Sequence, residues 1–542
     1  DWIKGRYAPG MMGKPGMTVS RWFDGVLEKN EVIDQPSNLR GLFYWGHAPN
    51  SQTRGPDQKR AMDKLDLLVV VDPFPSATAA MAAMPGKAED QNPNRAVYLL
   101  PACTQFETSG SVTASNRSIQ WREKVIEPLF ESRSDHMIML QLAEKLGFAK
   151  ELTKNYKMQK VKGMDEPIPE DITREWNRSL WTIGMTGQSP ERLKAHMRNM
   201  HVFDVNTLRA KGGIDKETGY KLDGDYFGLP WPCYGTPELK HPGSPNLYDT
   251  SKHVMEGGGN FRANFGVERE GQSLLAADGS HSKGAEITTG YPEFDHVLLK
   301  KLGWWADLTE AEAKAAEGKN WKTDLSGGIQ RVTMAHGCHP FGNAKARAVV
   351  WNFPDPIPQH REPIYSTRPE LVDKYPTHDD RRTGWRLPVL YKSLQQKNRD
   401  IGKEFPLIMT SGRLVEYEGG GDETRSNPYL AELQQDMFVE INPAAANDRG
   451  IRHGDDVWVK TPTGVKLKVK AQVTERVDRE TVFLPFHFAG RWQGEDISAY
   501  YPEGAKPIII GEAVNTAGTY GYDPVTNMQE TKTSVCQIEK AA

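Results

Sequence analysis

The stretch "LDLLVVVDP" at 65–73 constrains the fold more than any other part of this chain. Five consecutive apolar residues closed by Asp72 and Pro73 suit a strand buried on both faces, because a strand with one wet face would alternate instead. Its neighbours complete a pattern. "LRGLFYWG" (39–46) is apolar and aromatic, "RGPDQKRAMDKL" (54–65) has helical spacing with Pro56 in its first turn, and "AVYLLPA" (96–102) is a further strand. Strand, helix, strand, strand in this order implies parallel strands in an open sheet covered by helices. Ligands of such sheets sit beyond the carboxyl ends of the strands, where "GHAPNS" (46–51) and "DPFPS" (72–76) project side by side.

Further along, "SDHMIMLQLAEKLG" (134–147) predicts a packing helix with Ser134 or Asp135 as cap and Gly147 as its end. Residues 150–400 are rich in Gly, Pro, Trp and His and hold few long periodic runs. They read as short helices and irregular segments packed on the sheet, since a structureless loop of that length is uncommon. "LTEAEAKAAEGKNW" (308–321) predicts an exposed helix. From about 405 the period becomes that of strands: "FPLIMTSG", "MFVEINP", "DDVWVKTPTGVKLKVKAQVTERV", "ETVFLPFHF" and "TSVCQIE". "TPTG" (461–464) suits a hairpin turn and "PAAANDRGI" one short helix ending at Gly450, so a compact β-barrel is expected.

At 542 residues the chain is long enough for several folded units. Lys plus Arg (68) nearly balances Asp plus Glu (71), which gives no reason to expect nucleic acid as a main partner. The longest apolar runs are strand-length, short of a membrane-spanning helix. Asp1 rather than Met opens the chain, which reads as a processed or truncated start, so compartment is not legible there. Four scattered cysteines, Cys103, Cys233, Cys338 and Cys536, form no CxxC pair and supply no self-contained iron–sulfur or zinc ligand set.

Several residues carry candidate chemistry. No GxxxxGK[ST] or GxGxxG follows a strand, so a P-loop or a standard dinucleotide fingerprint is absent. Asp72 ends a buried strand, where its carboxylate could accept two hydrogen bonds from a purine such as guanine or bind ribose hydroxyls; a solvated turn aspartate is the plainer alternative. In "TSGRLVEYEGGGDETRSNP" (410–428), Gly419, Gly420 and Gly421 allow the backbone approach that lets peptide N–H groups wrap phosphates, with Arg413 and Arg425 to neutralise a pyrophosphate or stack on a ring. A solvated surface loop is the alternative there. "HGCHP" (336–340) resembles a metal motif, but adjacent residues rarely converge on one ion, and a packed turn is expected. His487 follows an apolar strand and is weighed as core residue against ligand. The N-x-S matches at Asn116 and Asn177 are chance. No nucleophile elbow, HExxH or paired-carboxylate arrangement is identifiable by spacing.

These segments together resemble the large subunit of molybdenum or tungsten enzymes that carry bis-molybdopterin guanine dinucleotide, most closely formate dehydrogenases of the respiratory, periplasm-facing type. The stretches "LDLLVVVDPFPSATA" and "YLLPACTQFETSGSVTASNRSIQWREKVIEP" are similar to the family's second dinucleotide-binding half. Residues 224–266, "GDYFGLPWPCYGTPELKHPGSPNLYDTSKHVMEGGGNFRANFG", resemble an insertion of the formate dehydrogenase branch. "TSGRLVEYEGGGDETRSNPYLAELQQDMFVEINP" and "GEAVNTAGTYGYDPVTNMQETKTSVCQI" resemble its C-terminal six-stranded double-psi barrel.

The resemblance implies an α/β fold: a parallel-sheet dinucleotide-binding part at 1–150, an irregular and helical insertion with the remainder of the oxidoreductase domain at 151–400, and a double-psi β-barrel at 401–542. It implies that Gly46 and Pro49 shape the first loop, that Asp72 and Ser76 read a guanine, and that Asn116 and Arg117 lie close to that nucleotide end. Ser411, Gly412, Arg413, Glu416 and Tyr417 would border the pterin end, while His487, Asn515, Tyr520 and Lys532 would close over the other dinucleotide. The family's four-cysteine motif, its cysteine or selenocysteine metal ligand and a nearby histidine have no counterpart here. The chain therefore resembles the C-terminal half or so of the subunit, with no catalytic or metal-ligating residue of its own and the [4Fe-4S] cluster expected only in the N-terminal part.

The implied activity is two-electron oxidation of formate to CO2, or the reverse, with electrons passing to iron–sulfur clusters. Implied partners are the N-terminal half, an iron–sulfur beta subunit and a membrane cytochrome b gamma subunit, in the periplasm. The alternatives are another molybdopterin oxidoreductase, such as a nitrate or polysulfide reductase, and a non-catalytic cofactor-binding fragment.

Overall fold

The computed structural model describes residues 19–28, 37–47, 53–74, 77–114, 118–179, 188–229, 294–335, 400–503, 506–518 and 532–541, apart from isolated positions, with short pieces besides. Two compact units form, one from residues 8–102 and 357–542 and the other from residues 103–356 with 1–7.

In the first unit, helix α1 (Trp22–Leu27) precedes strand β1 (Gly41–Trp45), helix α2 (Gly55–Lys64), strand β2 (Leu67–Asp72), helix α3 (Ala77–Ala83) and strand β3 (Ala96–Pro101). The sheet order is β1-β2-β3, all parallel, with Trp45 opposite Val71 and Asp72 opposite Pro101. The expected βαβ unit is present. Leu68 and Val70 are fully buried because α1 and α2 cover that face of the sheet, with Phe23, Met62 and Leu65 filling the interface. Pro56 sits in the first turn of α2, where its missing N–H costs nothing.

The C-terminal part of this unit is a closed six-stranded barrel. Its strands are β4 (Leu407–Gly412), β5 (Phe438–Ile441), β6 (Asp456–Lys460), β7 (Lys466–Val473), β8 (Thr481–Pro485) and β9 (Ser534–Lys540), in the order β4-β8-β5-β7-β6-β9. β4 runs parallel to β8 and β5 parallel to β7; the other pairs are antiparallel. Alternation decides which side chains fill the interior: Val457, Val459, Leu467, Val482 and Leu484 are all fully buried. Each such residue contributes about 1.5–3 kcal/mol by leaving water. The "TPTG" turn closes as expected, with Thr461 N–H donating to Val465 O (3.0 Å) and Gly464 at φ +80°.

The second unit is built from short pieces. Ser134 caps the helix Asp135–Leu146 by accepting from Met137 N (3.2 Å), and Gly147 ends it at φ +81°. Helix Pro190–Arg198 carries buried His196, whose Nε2 meets Asp225 Oδ2 (2.9 Å) while Nδ1 accepts from Gly228 N (3.1 Å). The helix expected to be exposed at 308–321 is Glu310–Ala316, with a Thr309–Glu312 capping box. It is not exposed all round. Ala316 packs into a cluster with Phe294, Leu299 and Ile329, and buried Glu312 binds Arg331 Nε at 3.0 Å. Among the described residues no helix is long and apolar enough to cross a membrane.

Candidate functional site

The topology of the first unit places several chain ends on two edges. Parallel β1, β2 and β3 end together. Gly46 follows β1 at φ +55°, its N–H bonded to Val71 O (2.9 Å), so the chain turns sharply over the strand end. Asp72 closes β2 and is buried, its Oδ1 accepting from Phe74 N (3.0 Å). Burial pushes its pKa up to about 7; the Phe74 N–H opposes the rise, and the nearby Asp422 and Glu423 add to it.

The second edge is one rim of the barrel. Because β4 and β8 are parallel, Ser411 and Gly412 end beside Leu484 and Pro485, and the next residues of both strands emerge together. β9 is antiparallel to β4, so the residues entering β9 start at the same rim. Lys532 Nζ accordingly donates to Ser411 O (2.6 Å). Lys532 and Arg413 both lie over the Phe486 ring, at 5.3 and 5.5 Å from its centroid. Partial burial, then the neighbouring Arg413 charge, lowers the Lys532 pKa. The rim therefore gathers two cations around an aromatic ring, an arrangement suited to an anionic or planar ligand.

The glycine loop follows. Tyr417 is buried, its hydroxyl donating to Gln434 O (2.5 Å) and its ring edge-on to Phe488. Glu416 is half-buried at the turn beside fully exposed Val415. Gly421 has φ +82°, and a Cβ there would stand 2.1 Å from His487 O. His487 is fully buried with both nitrogens engaged: Nδ1 donates to Gly419 O (2.7 Å) and Nε2 accepts from Leu414 N (3.0 Å). It thus ties the loop to the rim as a neutral imidazole.

Burial lowers the pKa of His487 from its ordinary 6.5, and that of His196 likewise. A base whose folded pKa is depressed stabilises the fold above its unfolded value and loses that stability as pH falls through the folded one. Below about pH 6.5 a His487→Gln chain should therefore show a shallower decline of melting temperature than wild type. Parallel declines in thermal melts between pH 7.5 and 5 would contradict this.

The two edges meet within the unit. Asp422 Oδ1 lies 3.4 Å from Ala77 N, at the start of the helix that follows the Asp72 loop. Thr53 N donates to Gln529 Oε1 (3.0 Å), and the backbone at Gly55 approaches Thr516 so closely that a Cβ would be 2.4 Å from its methyl. Asn515 is buried in that same turn, Val514–Ala517. Of the residues singled out from sequence, Gly46, Asp72, Ser411, Gly412, Arg413, Glu416, Tyr417, His487, Asn515 and Lys532 belong to this unit's described part. Pro49, Ser76, Asn116, Arg117 and Tyr520 lie outside the described residues, as do "HGCHP" and nearly all of 224–266. Sequence reasoning did not single out Asp422, Phe486 or Thr516. Their positions depend on contacts between distant segments that leave no local pattern. Among the described residues no cluster of three His, Cys, Asp or Glu could hold a metal ion.

Comparison with known proteins identifies two domains. Residues 407–535 match the Molydopterin dinucleotide binding domain and residues 24–145 match Molybdopterin oxidoreductase. The chain is 24% identical to "Formate dehydrogenase 2 subunit alpha (cytochrome c-553)" of Nitratidesulfovibrio vulgaris, over 95% of this chain and 48% of that protein. It is 22% identical to "Formate dehydrogenase subunit alpha" of Megalodesulfovibrio gigas, over 93% and 46%. Acetylene hydratase from Pelobacter acetylenicus aligns in structure with a TM-score of 0.47 at 14% identity, over 96% of this chain and 46% of that one. The chain spans about half the length of the curated relatives it matches. The molybdopterin dinucleotide-binding match lies within the unit that carries the two edges, the Molybdopterin oxidoreductase match starts in that unit and runs on to residue 145, and the chain thus carries both domains, its homologues over most of its length being formate dehydrogenase alpha subunits at 22–24% identity.

Proposed function

We propose that this chain is the cofactor-clasping part of a formate dehydrogenase catalytic subunit, holding bis-molybdopterin guanine dinucleotide between the carboxyl ends of β1–β3 and the barrel rim. The observation that carries the proposal is that one compact unit brings a buried strand-end carboxylate, Asp72, near a rim bearing Arg413, Lys532 and a glycine loop. The residues present fit such a group. Gly421 leaves room for backbone where any side chain would strike His487 O, the rim cations suit phosphates, and Asp72 offers the acceptor pair that a guanine edge needs. When bound, the group supplies a two-electron redox centre containing molybdenum or tungsten.

The contribution of the chain's own residues is to bind and orient. An ionised Asp72 accepts from the guanine N1–H and amino group, with Gly46 shaping the loop beside it. Ser411, Gly412, Arg413 and Lys532 hold the other end, and buried Tyr417 and His487 keep that rim rigid. The parallel pairs of the barrel support a double-psi assignment. The net reaction assigned to the complete subunit is HCOO⁻ → CO2 + H⁺ + two electrons, with the electrons leaving through iron–sulfur clusters. The remaining half with its [4Fe-4S] cluster, an iron–sulfur beta subunit, a cytochrome b gamma subunit and a periplasmic location complete the proposal.

Acid hydrolysis of the native complex should release GMP, and the complex should reduce a viologen dye with formate but show no nitrate or polysulfide reduction. Absence of GMP would remove the cofactor assignment, and nitrate turnover without formate turnover would move the enzyme to another branch. Asp72→Asn replaces an acceptor by a donor facing guanine and should lower the GMP content about ten- to hundredfold. Unchanged GMP would show that Asp72 does not read the base.

A further inference from the structure

We propose that Arg425 is a positioning residue that presets the Gly419–Gly421 loop from behind, a role that rests on the cofactor assignment above. The sequence suggests a cation for phosphate, but the guanidinium is buried, with 1% of its side chain exposed. Its NH1 donates to Gly420 O (2.5 Å) and to His487 O, and its NH2 pairs with Asp422 Oδ1 (2.5 Å). Its own N–H donates to Gly421 O (2.8 Å), and its carbonyl accepts from Ile508 N (3.2 Å).

The carbonyls of all three glycines are thereby engaged from the protein side: Gly419 O by His487 Nδ1, Gly420 O by the Arg425 guanidinium, and Gly421 O by the Arg425 backbone. A trans peptide points its N–H opposite to its C=O. The N–H that shares a peptide with Gly420 O is that of Gly421, and it donates to Glu418 O (2.7 Å), so the turn is held from both sides. The guanidinium charge behind the loop is balanced by the Asp422 carboxylate, so Arg425 acts through the geometry it imposes on the loop. Asp422 extends the effect, because the carboxylate that anchors Arg425 also faces Ala77 N at 3.4 Å. One side chain thus fixes the loop and links it to the helix that follows the Asp72 loop.

Hydrogen exchange and GDP titration of the full chain test this. Arg425→Lys keeps the charge but cannot span three acceptors. The amides of Gly421 and Arg425 should exchange about ten- to hundredfold faster, while those of β4 and β8 keep their protection. GDP affinity should fall about tenfold, the equivalent of one lost hydrogen bond. Arg413→Ala, on the exposed rim, should weaken GDP binding without altering exchange in the loop.

Wild-type exchange rates at Gly421 and Arg425 in Arg425→Lys would overturn the positioning role whatever happens to binding. Faster exchange in the variant, together with no GDP binding by wild type, would uphold the positioning role and defeat the cofactor assignment instead. Should Arg425→Lys not fold, Asp422→Asn loosens the same anchor. Faster exchange at Ala77 and Arg425 would then support the role, and unchanged rates would overturn it.

Discussion

An Asp24→Ala chain is expected to lose about 3–5 kcal/mol of stability, the usual cost of removing one partner from a buried ionic cluster. Asp24 is 1% exposed and lies between two guanidiniums. Arg21 Nε donates to its Oδ2 at 2.8 Å, and Arg54 NH1 reaches its Oδ1 at 2.9 Å. Arg54 also pairs with Asp57 (2.8 Å) and lies over the Phe23 ring at 4.7 Å. The cluster sits where α1 meets the start of α2, so it fixes the approach of both helices to the sheet. Without Asp24, two buried cations face each other with less opposing charge. Part of the loss should be offset at Glu28. Its carboxyl is pushed up first by burial and then by Asp24, so it would ionise more readily once Asp24 is gone. A chain with both Asp24→Leu and Arg21→Leu should recover part of the stability, since it buries no new unpaired charge at that pair. Denaturation midpoints read both effects; a loss below about 1 kcal/mol for Asp24→Ala would place the cluster among weakly contributing surface pairs.

This cluster also marks where the sequence stops being legible. The run at 67–71 announces a buried strand because its period is unambiguous, and the barrel strands announce theirs because every second residue is apolar. Asp72 could be placed at a ligand edge because a parallel sheet dictates where its strand ends lie. Arg21, Asp24 and Arg54 show no such pattern. Their charges look solvated until the fold buries them, and the partners of Arg54 include a residue 30 positions away. His487 is intermediate. Its apolar neighbours announce a core position, but only the assembled rim shows that Gly419 O and Leu414 N–H take both ring nitrogens, from 68 and 73 positions away. The link between Asp422 and Ala77 spans 345 positions and rests wholly on tertiary packing. The helix Glu310–Ala316 shows the opposite failure: its charged sequence suggests exposure, yet the small Ala316 admits close packing and Arg331 satisfies Glu312.

Gly421→Ala should have the largest effect on the site itself. The position has φ +82°, where a non-glycine residue costs about 1–2 kcal/mol. The added Cβ would also stand 2.1 Å from His487 O and 2.7 Å from Arg425 NH1. The carbonyl belongs to backbone running off β8, so it cannot rotate out of the way as a side chain would. Either the loop or the rim must move, and the loop carries less packing. Arg425 would then lose its bond to His487 O or to Gly420 O, and the Gly421 N–H its bond to Glu418 O. GMP recovered per chain should fall about tenfold or more, in line with at least one charge-assisted hydrogen bond lost. The hydrogen-exchange protection of β4, β5 and β8 should persist, because their buried valines and leucines do not touch Gly421. Gly419→Ala is the matched control: it has a similar backbone conformation, φ +47°, but no atom within 4 Å of its added Cβ. If both variants lose GMP equally, backbone conformation alone governs the loop. If only Gly421→Ala does, the close approach to His487 O is what holds the cradle in shape.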